Sequence, residues 1–158
     1  MRQQNKKSKF VALLLSLLLV CTMMPQLAWA TGALSVGTGT ADDPYQISNT
    51  DDLKAFRDKV NGGERTACAI LTQNIDLKGE TWMPFAPKTG YVTDAFAGTF
   101  DGNRHTIKGL NINATAANQG LFGLINGATI KNLKVEGTVY STGSYVGGIV
   151  GKVQKGTI

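Results

Sequence analysis

The spacing of hydrophobic residues changes once along this chain. Between Asn49 and Gly63, Leu53, Phe56 and Val60 fall on one face among Asp51, Asp52, Lys54, Arg57, Asp58 and Lys59, which predicts a short amphipathic helix over Thr50–Val60. Asn49 is its expected cap, the two aspartates suit the positive end of a helix dipole, and Asn61-Gly62-Gly63 ends it. Beyond that point the period shortens to alternation. Ala69, Leu71, Ile75 and Leu77 take odd positions, then Ile107, Leu110 and Ile112, then Ile130, Leu133 and Val135, all reading as short strands with one buried face.

The strands also repeat. The segments beginning at Ile107 and Ile130 share an I-x-x-L-x-[IV] pattern at an offset of 23, and the next Thr-Ile pair ends at Ile158, 28 residues after Ile130. Around them, "QGLFGLINGATI" (119–130) and "YVGGIVGKVQKGTI" (145–158) follow one plan: glycine, two apolar residues, glycine, a turn, then Thr-Ile. Repeats of this length predict stacked coils, a mostly β parallel solenoid in which glycines turn the corners and like residues lie one above another. The Thr50–Val60 helix would cap the first coil with Leu53, Phe56 and Val60. On this reading Ile158 opens an inward-facing strand. The chain is then expected to be a truncated or partial product of a longer repeat protein, or else to self-associate through an open C-terminal edge.

The first thirty residues alter how composition is read. Arg2, Lys6, Lys7 and Lys9 precede the apolar run "FVALLLSLLLVCTMM", too short for a confident membrane span, and the triplet Ala28-Trp29-Ala30 follows Pro25. This predicts a signal peptide over 1–30 cleaved after Ala30, a Gly/Ser/Thr-rich leader over 31–43, an ordered region over 44–158, and no membrane span after cleavage. Attachment of lipid at Cys21 is the weaker reading, because Val20 is bulky. The chain of 158 residues carries a net charge of +5, but four of its 16 basic residues leave with the signal, so 128 residues with charge +1 remain. Nothing in that balance, and no cluster of Lys or Arg interleaved with aromatics, points to nucleic acid. Cys68 then stands alone, which excludes an internal disulfide, and it reads as a small apolar residue.

Taken together, "GLFG" (120–123) followed by "GATIKNL", and "YVGGIVG" followed by "GTI", resemble the GLUG repeats of bacterial surface and secreted proteins. The upstream "DPYQISNTDDLKAF", "LTQNIDLKG" and "FAGTFDGNRHTIKGLNI" look like the segment that precedes such repeats, so the resemblance covers Asp43 to Ile158. The second copy has Ile149 where the family name implies leucine. The resemblance implies a right-handed parallel β-helix on an exported, often cell-surface protein, and no single activity.

Chemistry is sparse. The densest polar run, "FDGNRHTI", sets Asp101 and His105 close together, a pairing that could serve acid/base work on a glycan; the competing reading, which accounts for more of the residues, is a turn built on Asp101-Gly102-Asn103. Trp82 and Tyr91 lie in an aromatic loop that could stack on sugar rings, although packing over the first coil is the preferred reading for Trp82 and Phe85. His105 is the sole histidine, so a HExxH zinc site is impossible here; no catalytic residue, metal site or cofactor motif is assigned. The Asn113-Ala114-Thr115 sequon is expected to be idle.

The expected function is that of a non-catalytic exported scaffold, secreted or on the cell surface, for display or adhesion. Its ligand would be an unknown extracellular glycan or protein, for which Trp82, Tyr91, Asp101 and His105 are the weak candidate contacts. The alternative is an N-terminal accessory segment of a larger secreted polysaccharide-active enzyme or peptidase.

Overall fold

The computed structural model describes residues 34–87 and 92–158. The expected signal peptide, its cleavage site after Ala30, Cys21, the first residues of the leader and Tyr91 lie outside the described residues.

The helix α1 spans Thr50–Gly62 and is capped as its sequence demands. Asn49 has extended backbone and its side-chain Oδ1 accepts the Asp52 N–H at 2.9 Å, while Gly63 closes the other end at φ 124°. Leu53, Phe56 and Val60 are wholly buried, so the apolar stripe faces the core as predicted. Residues 34–44 are tied in by backbone hydrogen bonds: the Gln46 N–H donates to Val36 O and the Cys68 N–H to Gly39 O.

The rest of the described residues carries eight strands: β1 (Tyr45–Ile47), β2 (Ala69–Leu71), β3 (Ile75–Asp76), β4 (Thr99–Asp101), β5 (Thr106–Ala114), β6 (Phe122–Lys131), β7 (Lys134–Ser141) and β8 (Val150–Thr157). Every pairing is parallel. One sheet has the order β1-β2-β4-β6-β8 and the other β3-β5-β7. This corrects the expected right-handed parallel β-helix: the strands form two separate parallel sheets, of five and three strands, rather than a closed solenoid. The physical reason is that the sequence repeat specifies parallel neighbours with like residues opposite each other, a condition that two separate sheets satisfy; the repeat says nothing about closure.

The register also corrects the repeat length. Phe100 lies opposite Ile130, Thr99 opposite Thr129, and Ile107 opposite Val135, so facing residues are 30, 30 and 28 positions apart. The offset of 23 matched β5 with the end of β6 and the start of β7, segments in different sheets. Ile130 accordingly sits near the end of its strand instead of opening one, and Ile158 follows β8 and is exposed.

The inward row of the larger sheet runs Tyr45, Ala69, Phe100, Ile130, all buried; Ile107, Leu110 and Ile112 are the inward residues of the smaller sheet's central strand. Phe56 brings α1 onto this row, its ring 5.6–6.2 Å from those of Tyr45, Phe85, Phe96 and Phe100, and Phe85 stacks on Phe122 at 4.5 Å. Burial fades along the chain: β8 is half-buried to exposed, and Tyr140, Tyr145, Val146 and Val153 are exposed.

The repeat glycines do two jobs, of which turning corners is one: Gly127 and Gly156 have positive φ. Neither Gly120 nor Gly123 of "GLFG" has a positive φ; instead a Cβ at Gly120 would lie 2.6 Å from Gly147 O, and one at Gly123 2.8 Å from Ala86 O. Close backbone approach is what excludes a side chain there. Left-handed corners are shared between other glycines, among them Gly109, Gly127 and Gly156, and non-glycine residues, among them Asn103, Arg104, Asn118 and Asn132.

Candidate functional site

Side chains alternate across a strand, so the residues flanking the buried row of the larger sheet face outward. One outward row is Gln46, Ile70, Asp101, Lys131; the next is Thr99, Thr129, Thr157, with Cys68 preceding Thr99 at the adjoining position of the ladder. Where the chain around Ala41 and Pro44 runs beside these rows, a groove of about 400 Å³ opens, lined by Pro44, Cys68, Ile70, Thr99, Asp101 and Lys131 among others.

Asp101 is the best-fixed polar group in this groove. Its Oδ1 accepts the Asn103 N–H at 2.8 Å and the Asn132 amide at 3.0 Å, and its Oδ2 lies 3.3 Å from Lys131 Nζ. Burial pushes this carboxyl upward, but the donors at Asn103, Asn132 and Lys131 outweigh that and hold it below the usual aspartate range. The Asp101–Asn103 bond is the short loop that Asp makes with the backbone two residues on. Asn103 extends the scaffold by donating its side-chain N–H to Leu71 O at 3.2 Å, so two asparagines tie three successive strand ends together.

Of the four residues singled out from sequence, the structure places one in the groove. Asp101 lines it while holding a turn. His105 belongs to the same turn, its backbone N–H donating to Gly102 O at 2.7 Å, but it is not part of the groove. Trp82 takes its packing role: it is buried, its indole N–H donates to Leu121 O at 3.2 Å, and the Arg57 guanidinium sits 5.0 Å from its ring centre. Tyr91 is outside the described residues. Sequence reasoning missed Lys131, Thr99 and Ile70, which reach Asp101 only through the strand register. A correct repeat length of about 30 would have found Lys131.

A second depression, about 260 Å³, lies at the start of α1 among Asn49, Thr50, Asp51, Lys54, Asp76 and Glu80. Two of its carboxylates are paired, Glu80 with Lys54 at 2.6 Å and Asp76 with Lys108, from outside the depression, at 3.2 Å. Among the described residues no group of three or more His, Cys, Asp or Glu could hold a metal ion, and no helix is long and apolar enough to cross a membrane.

The chain is similar to halomucin of Haloquadratum walsbyi, 34% identical over 132 residues. The match takes in 77% of this chain but 1% of halomucin, so the chain spans a very small part of that relative. No protein family model matches the chain, and no solved structure matches it.

Proposed function

We propose that this chain is an exported, non-catalytic scaffold of the GLUG-repeat kind, carried at the cell surface or secreted, and acting in display or adhesion as part of a longer repeat protein. The observation that carries the reading is the similarity to halomucin of Haloquadratum walsbyi over three quarters of this chain. The basic, then apolar, then Ala-x-Ala pattern of residues 1–30 supports export. The site chemistry is compatible with a scaffold role, because Asp101 is tied into a turn through Asn103 and Asn132.

The test is made on cells of the source organism with an antibody raised against the chain. Labelling of intact cells or of the medium, together with a mature N-terminus at Thr31, is the expected result. Labelling only after permeabilisation, with Met1 retained, would overturn it.

A further inference from the structure

We propose that the groove on the outer face of the larger sheet binds a neutral sugar, a hexopyranose unit of an extracellular glycan. The inference rests on the extracellular reading above and names the ligand class of the same scaffold. Its volume of about 400 Å³ falls within the range of small-ligand clefts.

The lining chemistry selects the ligand. Asp101 and Lys131 carry opposite charges 3.3 Å apart, so the groove presents an acceptor and a donor side by side with no net charge of its own. An anionic ligand would meet the carboxylate and a cationic one the ammonium. A neutral polyol avoids both conflicts, since one hydroxyl can donate to Asp101 Oδ2 while its neighbour accepts from Lys131 Nζ. The Asp101 carboxylate needs no reordering to do this, because Asn103 and Asn132 already fix its other oxygen. Ile70 and Pro44 give an apolar surface for the C–H face of a ring, and Thr99 adds a hydroxyl. The threonine row continues through Thr129 and Thr157 on the next two strands, at the ~4.8 Å strand spacing, so an extended glycan laid across the strands meets hydroxyls beyond the groove.

A peptide is the less suitable occupant. Extended peptides bind sheets through edge N–H and C=O groups, whereas this groove lies on a sheet face, where those groups are already paired along the ladder β2-β4-β6.

The test is NMR titration of the isotope-labelled full chain with methyl β-glucopyranoside, methyl α-mannopyranoside, N-acetylglucosamine and cellotriose. The expected result is saturable shifts of the amides of residues 68–70, 99–101 and 131 with at least one probe, at a dissociation constant on the order of millimolar. Lys131→Met should weaken that binding about tenfold, the loss of one charge-assisted hydrogen bond, and Thr99→Val should weaken it less, while both variants keep the dispersed spectrum of the folded chain. No saturable shift with any probe, shifts confined to the region of Tyr140 and Tyr145, or binding unchanged in Lys131→Met would overturn the assignment. If intact cells display the chain but the groove does not respond, the sugar falls and the surface reading stands; binding by a chain confined inside the cell gives the reverse.

Discussion

Asp101 and Lys131 are 30 residues apart in the chain yet adjacent on neighbouring parallel strands, Lys131 Nζ lying 3.3 Å from Asp101 Oδ2. The pair closes an outward row over a buried Phe100–Ile130 row, so side-chain charge and core packing specify the same register. A slip of β6 by one residue against β4 would turn Ile130 to solvent and also separate the charges.

That relationship sets a pH dependence. The Asp101 carboxyl is held below its ordinary value in the folded chain, so its contribution to stability is present above the unfolded value of about 3.9 and is lost as pH falls through the lower folded value. Asp101→Asn removes that component. Urea unfolding should show the variant less stable than the parent by about 1–3 kcal/mol at neutral pH, the cost of removing a charged hydrogen-bond acceptor. The gap should narrow below pH 3.9, and an equal gap at both pH values would contradict the account.

The close approach of successive strand ends predicts a second effect. A Cβ on Gly102 would lie 2.5 Å from Asn132 O and 2.6 Å from Leu133 Cα, both backbone atoms that cannot swing aside. Gly102→Ala should therefore cost about 1–3 kcal/mol through strain, although the residue lies in a turn. Thermal unfolding reads this as a lowered Tm, whereas alanine at Gly127, which has no atom within 4 Å of an added Cβ, should show only the penalty of its φ of 82°.

How much of this was legible in the sequence depends on which interaction determines each feature. The helix could be read because its signals are local: Asn49 and Leu53, Phe56, Val60 lie within one stretch of chain, and the structure places them as expected. The alternation of Ile107, Leu110 and Ile112 was equally plain. What failed was the long-range part. Matching Ile107 to Ile130 rested on side-chain type alone, and residues of the same type recur at every inward position; the backbone instead pairs Ile107 with Val135. With the wrong offset, the partner of Asp101 would be Leu124, so Lys131 could not be found and the groove stayed invisible. Closure of the coil likewise had no local signal, and the two sheets are separate. Trp82 was ambiguous for another reason: an aromatic side chain suits a sugar or a core, and only its bond to Leu121 O, 39 residues away, decides.

Trp82 gives a stability prediction. Trp82→Phe keeps most of the buried volume but removes the indole N–H; Leu121 O still accepts the Phe85 N–H at 3.0 Å, so the loss of one hydrogen bond should cost about 0.5–1.5 kcal/mol in urea unfolding. Trp82→Ala should cost more, about 3–5 kcal/mol, because it also opens a cavity beside Phe85, whose ring centre is 5.7 Å away. If sugar stacking were its role instead, both variants would unfold like the parent and lose binding.

The helix cap allows a final separation of local from tertiary stability. Asn49 accepts the Asp52 N–H, and Asp52 Oδ2 in turn accepts the Ser48 N–H at 2.9 Å and the Ser48 hydroxyl at 2.7 Å, so the first turn is closed reciprocally. Asn49→Ala should cost about 1 kcal/mol, and Asn49→Asp, which retains an acceptor, much less. Phe56→Ala removes the ring that packs against Tyr45, Phe85, Phe96 and Phe100 and should cost about 3–5 kcal/mol, a large fraction of the 5–15 kcal/mol typical of a folded domain. Amide exchange distinguishes the mechanisms: Asn49→Ala should speed exchange chiefly within α1, whereas Phe56→Ala should speed it also in β1, β2 and β4, because Phe56 joins the helix to the inward row. Equal, helix-confined acceleration in both variants would mean that α1 contributes little to the stability of the sheets beneath it.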